Sequence, residues 1–161
     1  MMFYGGYVCL LRNPFTGGQG TWRDYLTLPN ILKEFNPLLQ GFSTGTGEFL
    51  STHSRLNVAY PVSADADALR QAKILVKRMK DNPYIDVRHH WKMVTVLFGA
   101  NDLCSGQCYD RRRASPLNHA RKLMIALDYL RDHLPRTIVN LISVIGNLPS
   151  NKETTITYCN R

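Results

Sequence analysis

Apolar residues recur at helical spacing across residues 63–80. Leu69, Ala72, Leu75, Val76 and Met79 make one stripe, the mark of an amphipathic helix. Asp65 and Asp67 stand at its start and Lys77, Arg78 and Lys80 at its end, the polarity that the helix dipole favours. Asn82-Pro83 ends it. A second long helix begins at Ser115-Pro116, a capping residue followed by proline. Its expected core face is Ala120, Leu123, Met124, Leu127, Leu130 and Leu134, and Pro135 closes it. A short helix starts at Leu28-Pro29, turns Ile31, Leu32 and Phe35 toward the core and stops at Pro37. Elsewhere the pattern shifts to apolar runs. Residues 93–98 and 137–144 read as buried strands, and residues 56–60 as a short strand. Residues 40–54 are rich in glycine, serine and threonine and predict an exposed loop. The tail after Gly146 is polar. Strand, helix, strand, helix, strand is the order of a parallel sheet with crossover helices, so residues 1–161 form a single α/β domain.

Composition narrows the class. The 161 residues suffice for one domain with a core. No apolar run approaches the ~20 residues that span a bilayer. The first eleven residues are apolar but lack a basic leader region and a clear cleavage site, so an ordinary N-terminal segment is expected rather than a signal peptide. A net charge of +8 draws the chain toward anionic surfaces, such as an anionic membrane. The basic residues are scattered apart from Arg111-Arg112-Arg113 and the Lys73, Lys77, Arg78 and Lys80 face. With no nucleic-acid motif present, no nucleic-acid partner is expected. Cys104 and Cys108 could close a small disulfide loop or form half of a zinc site with His89, His90 or His119. The absent second cysteine pair and the histidine spacing argue against zinc.

Chemistry concentrates where the run at 93–98 ends, in Gly99-Ala100-Asn101-Asp102. Ligands of open α/β sheets bind beyond the carboxyl ends of strands. Gly99 permits a turn that a β-carbon would obstruct. The Asn101 amide can donate to a developing oxyanion, and Asp102 is expected to support the loop through backbone amides. Other candidates have plainer readings. Ser43 lies in Gly41-Phe-Ser43-Thr-Gly45, which matches a nucleophile elbow by letter but lacks the flanking strand and helix. Ser63 reads as a helix cap. His89, His90 and His133 read as structural or exposed, and no histidine is assigned as a base.

The Gly99–Asp102 block resembles the Gly-x-Asn-Asp block of the SGNH (GDSL-type) ester hydrolases. The stretches 18–37, Ser43-Thr-Gly-Thr-Gly47, Leu56-Asn-Val-Ala-Tyr-Pro61, Asp102-Leu-Cys104 and Leu127-Asp-Tyr-Leu130 resemble their phospholipase B branch. The resemblance runs from about residue 12 to about residue 144; residues 1–11 are not family-like. It implies a flavodoxin-like three-layer sandwich with parallel strands, here partial, with the first strand and the C-terminal part missing. It also implies serine-dependent hydrolysis of phospholipid or lysophospholipid acyl esters without metal or cofactor, an extracytoplasmic or membrane-associated setting, and a Cys104–Cys108 disulfide. Asn101 takes the family's oxyanion-donor role. Val62 falls at the family's oxyanion glycine, so only a backbone N–H survives there. No Gly-Asp-Ser nucleophile block occurs, and no Asp-x-x-His block follows the last expected strand. The expectation is an internal piece or degenerate copy of a larger domain, inactive by itself. Residues 3–11 could substitute for the missing strand. The alternative is a non-catalytic lipid- or membrane-surface-binding remnant.

Overall fold

The computed structural model describes residues 16–45, 49–103, 110 and 112–143. Among these residues three α-helices and two strands follow in the order α1 (Leu28–Phe35), α2 (Ala68–Asp81), β1 (Lys92–Leu97), α3 (Pro116–His133) and β2 (Thr137–Ile142). Among the described residues β1 and β2 form a two-stranded parallel sheet, with Lys92 opposite Thr137 and Leu97 opposite Ile142. This is the α/β arrangement expected, with α3 as the crossover between the strands. The expected substitute strand at residues 3–11 lies outside the described residues.

Periodicity explains the core. Ala72, Leu75, Val76 and Met79 of α2 are buried against Val94, Val96 and Phe98 and against Leu123, Ala126, Leu130 and Leu134 from α3 and its cap. The expected face of α3 needs correction. Met124 is 61% exposed and Ala120 is also exposed, while Ala126 is buried. α3 meets α2 along the narrower line 123–126–130–134, spaced by three and four residues, which turns 120 and 124 outward. α2 itself begins at Ala68, because Asp65–Asp67 forms a separate 3₁₀ turn.

α1 is rotated relative to expectation. Its buried residues are Pro29 and Asn30, while Phe35 is 84% exposed. The Asn30 amide donates to the carbonyls of Gln19, Thr21 and Tyr25 at 2.8, 3.2 and 2.9 Å. Three loop carbonyls converge on this one amide, so this face turns inward and the apolar one does not.

Three loop and strand expectations change as well. Residues 56–60 form no strand; they are buried as irregular chain, with Leu56 N–H bonded to the Gly41 carbonyl. Arg78 satisfies their neighbourhood. Its guanidinium donates to the Arg55 and Asn57 carbonyls at 2.8 and 3.0 Å, to the Ser54 hydroxyl at 3.0 Å, and to the Phe49 carbonyl. The loop at 40–54 is therefore not wholly exposed: Ser43 and Ser54 are buried. β2 is a strand but not a buried one, with Ile138 and Leu141 each 52% exposed, because among the described residues no layer covers it.

Arg78→Met is expected to destabilise the fold by about 2–3 kcal/mol, since several buried acceptors lose one charged donor. Urea denaturation checks this through a lower midpoint at unchanged slope.

Candidate active site

The turn after β1 and the turn before α2 meet at the carboxyl end of the strand. Gly99 adopts φ +115, a left-handed value open to glycine, and its carbonyl accepts from the Leu103 N–H at 2.8 Å. That reversal carries Asn101 and Asp102 toward residues 62–65. The Asn101 amide donates to the Ser63 carbonyl at 2.8 Å. The Asp102 carboxylate accepts from the Asp65 N–H at 3.1 Å. Asp102 thus supports a backbone amide that is near in space and 37 residues away in sequence.

Val62 takes φ +62 and is 81% exposed. A β-branched residue in this region is strained, and a glycine would not be. Ser63 is not the cap expected. Its hydroxyl donates to the Tyr60 carbonyl at 3.0 Å, and the Asp67 carboxylate accepts from the Ala64 N–H at 3.0 Å. Ser43 is buried at 0% exposure, its hydroxyl directed at the Ser54 carbonyl.

A charged cluster that sequence reasoning missed lies beside this junction. Asp65 has 1% of its side chain exposed. Lys122 Nζ donates to one of its oxygens at 2.6 Å, and His119 Nδ1 lies 3.2 Å from the other. Both partners come from α3, one turn apart. The only signal in the sequence was that His119 and Lys122 share a face at i, i+3 spacing. Burial pushes the Asp102 carboxyl pKa up, the Asp65 N–H opposes this, and the neighbouring Asp65 charge adds to the rise.

Asp65, Asp102 and His119 each offer a ligand atom, all within 4.8 Å of one another. Lys122 already supplies positive charge to Asp65, so one of the two carboxylates is matched by the protein itself and is less available to a cation. His89 and His90 engage Asp86, at 2.7 Å through a side-chain contact and at 3.1 Å from its N–H. His133 stacks on Tyr129 and meets its carbonyl at 2.8 Å. Cys104 and Cys108 lie outside the described residues.

Comparison with known proteins then bears on this junction. The family model described as GDSL-like Lipase/Acylhydrolase matches residues 5–161. The chain is 43% identical over 129 residues to "Phospholipase B1, membrane-associated" of Rattus norvegicus and 40% identical over 130 residues to the Homo sapiens protein of that name. These matches cover 80% and 81% of this chain but 9% of each relative. No solved structure matches it.

Val62→Gly is expected to stabilise the protein by about 1 kcal/mol, the relief of left-handed strain less the entropy cost of glycine, read as a higher thermal midpoint. Asp102 also makes stability depend on pH. An acid whose pKa is raised on folding binds its proton more tightly in the native state. Stability therefore falls as pH rises from the ordinary aspartate value through the raised one. Asp102→Asn keeps an acceptor for the Asp65 N–H and should flatten that slope in urea titrations at graded pH.

Proposed function

The chain belongs to the GDSL-like lipase/acylhydrolase family, and on that premise we propose that it carries the oxyanion side of a serine-dependent lipid ester hydrolase site. Asn101 supplies a side-chain donor and Val62 a backbone donor to the oxygen that becomes negative as the acyl carbon turns tetrahedral. The observation that supports this reading is the 2.8 Å bond from Asn101 to Ser63. It holds the Asn-Asp turn against the residue next to Val62, two positions far apart in sequence. Gly99 shapes the turn and Asp102 anchors it.

The substrate class is the acyl ester of a phospholipid or lysophospholipid, by analogy with the relatives' name. Hydrolysis needs a nucleophile and a base as well. No Gly-Asp-Ser occurs in the 161 residues, Ser43 is buried, and Ser63 donates to Tyr60. His119 with Asp65 has the histidine–carboxylate half of a triad. Among the described residues no serine hydroxyl bonds to that histidine, and Lys122 shares its carboxylate. On this reading the 161 residues by themselves turn over no ester. The second reading, a lipid- or membrane-surface binder without turnover, draws on the net charge of +8 and on exposed Leu38, Tyr84 and Trp91. Among the described residues no helix is long and apolar enough to cross a membrane.

The test has two arms. The purified chain is expected to leave a short-chain p-nitrophenyl ester intact and a fluorophosphonate probe unreacted; turnover with labelling would overturn the assignment of an incomplete site. In an active relative's domain, the counterpart of Asn101→Ala should lower turnover by ~10²-fold or more. An unchanged rate there would remove Asn101 from the chemistry.

A further inference from the structure

Among the described residues an open groove of ≈ 670 Å³ lies at the amino end of β1. It sits at the far end of the strand from Gly99–Asp102, and none of the residues assigned above to ester chemistry lines it. Its volume falls within the ~300–1,000 Å³ typical of small-molecule sites. Leu32, Leu39, Leu56 and Met79 supply apolar wall. Leu38, Tyr84 and Trp91 also line it, and they are 80%, 76% and 71% exposed. Single exposed apolar side chains need no explanation, but a group of them around one concavity marks a binding surface.

The charge at this groove is positive. Lys92 is among its lining residues and is only 7% exposed. Its ammonium donates to the carbonyls of Val87 and His90 at 2.7 and 2.8 Å. Among the described residues it forms no salt bridge with a carboxylate. Arg136 reaches the same loop, donating to the His89 carbonyl at 3.1 Å. Burial pushes the Lys92 pKa down; Asp86 opposes this and Arg136 adds to it. An ammonium has three donors, and two are spent here on neutral carbonyls. A cation held out of water in this way gains from an anionic partner.

We propose that the groove binds a single-chain amphiphile with a carboxylate head, the head at Lys92 and the chain along Leu32, Leu39 and Met79. The apolar wall and the buried cation, which among the described residues has no carboxylate in salt-bridge contact, together select this class. A neutral lipid leaves the cation unmatched, and a small anion leaves the wall bare. The proposal is independent of ester chemistry at the other end of β1.

Calorimetric titration of the 161-residue protein with dodecanoate below its micelle concentration tests it, beside dodecanol and phosphatidylserine vesicles. Saturable one-to-one binding of the acid is expected, with the alcohol ~10-fold weaker or more. Lys92→Met should abolish the preference for acid while leaving the alcohol's affinity in place. Leu39→Trp, which fills the groove, should weaken both ~10-fold or more. Equal affinity of acid and alcohol for the unaltered protein would overturn the proposal. So would binding unchanged by Leu39→Trp, or association with vesicles alone, which would indicate a membrane-docking surface instead. Should Lys92→Met fail to fold, the acid–alcohol comparison on the unaltered protein decides the matter.

Discussion

One buried carboxylate organises the carboxyl end of the sheet. Asp65 is removed from water, so its charge must be matched within the protein. Lys122 matches it from α3, 57 residues away in sequence, and His119 Nδ1, 54 residues away, reaches its other oxygen. Its own N–H is taken by Asp102 on the turn after β1. Three segments are thereby set relative to one another by directional contacts. Hydrophobic burial between α2, α3 and the sheet brings these elements together but is indifferent to small slides. The polar cluster is not, and Asn101 inherits its position from it.

The two ends of β1 carry opposite chemistry. At the carboxyl end, tight turns, a strained Val62 and paired charges surround an amide donor. At the amino end, an apolar groove with an exposed aromatic rim surrounds a cation held by carbonyls. Between them Arg78 secures the irregular chain at 49–57, which supplies part of the groove wall through Leu56. A half-buried guanidinium from α2 does here what strand pairing does elsewhere: it supplies donors to backbone carbonyls of irregular chain.

Local pattern made much of this legible. The periodicity of α2, the Ser-Pro start of α3 and the apolar run of β1 each encode an element in consecutive residues. The Gly-x-Asn-Asp turn was legible for the same reason, since glycine conformation and strand termination are short-range properties. Burial of β2, the facing of α1 and the Asp65 cluster were not. β2 looks buried by composition, yet exposure depends on what lies across from it. Asn30 outweighed three apolar neighbours because three carbonyls required its amide. His119 and Lys122 resemble ordinary surface residues of a helix until Asp65 stands opposite.

The amino-acid sequence by itself determined the three α-helices and the two strands, though not the irregular chain at 56–60, and it determined their parallel α/β order, the Asn101 turn and membership in the lipase family. All of these reside in short stretches whose propensities and motifs act locally. Tertiary structure alone decided which faces turn inward and which charges pair. It also decided that β1 has a polar site at one end and a groove at the other. Those outcomes depend on partners 5 to 57 residues away on other segments, and such a partner is chosen by packing rather than by spacing.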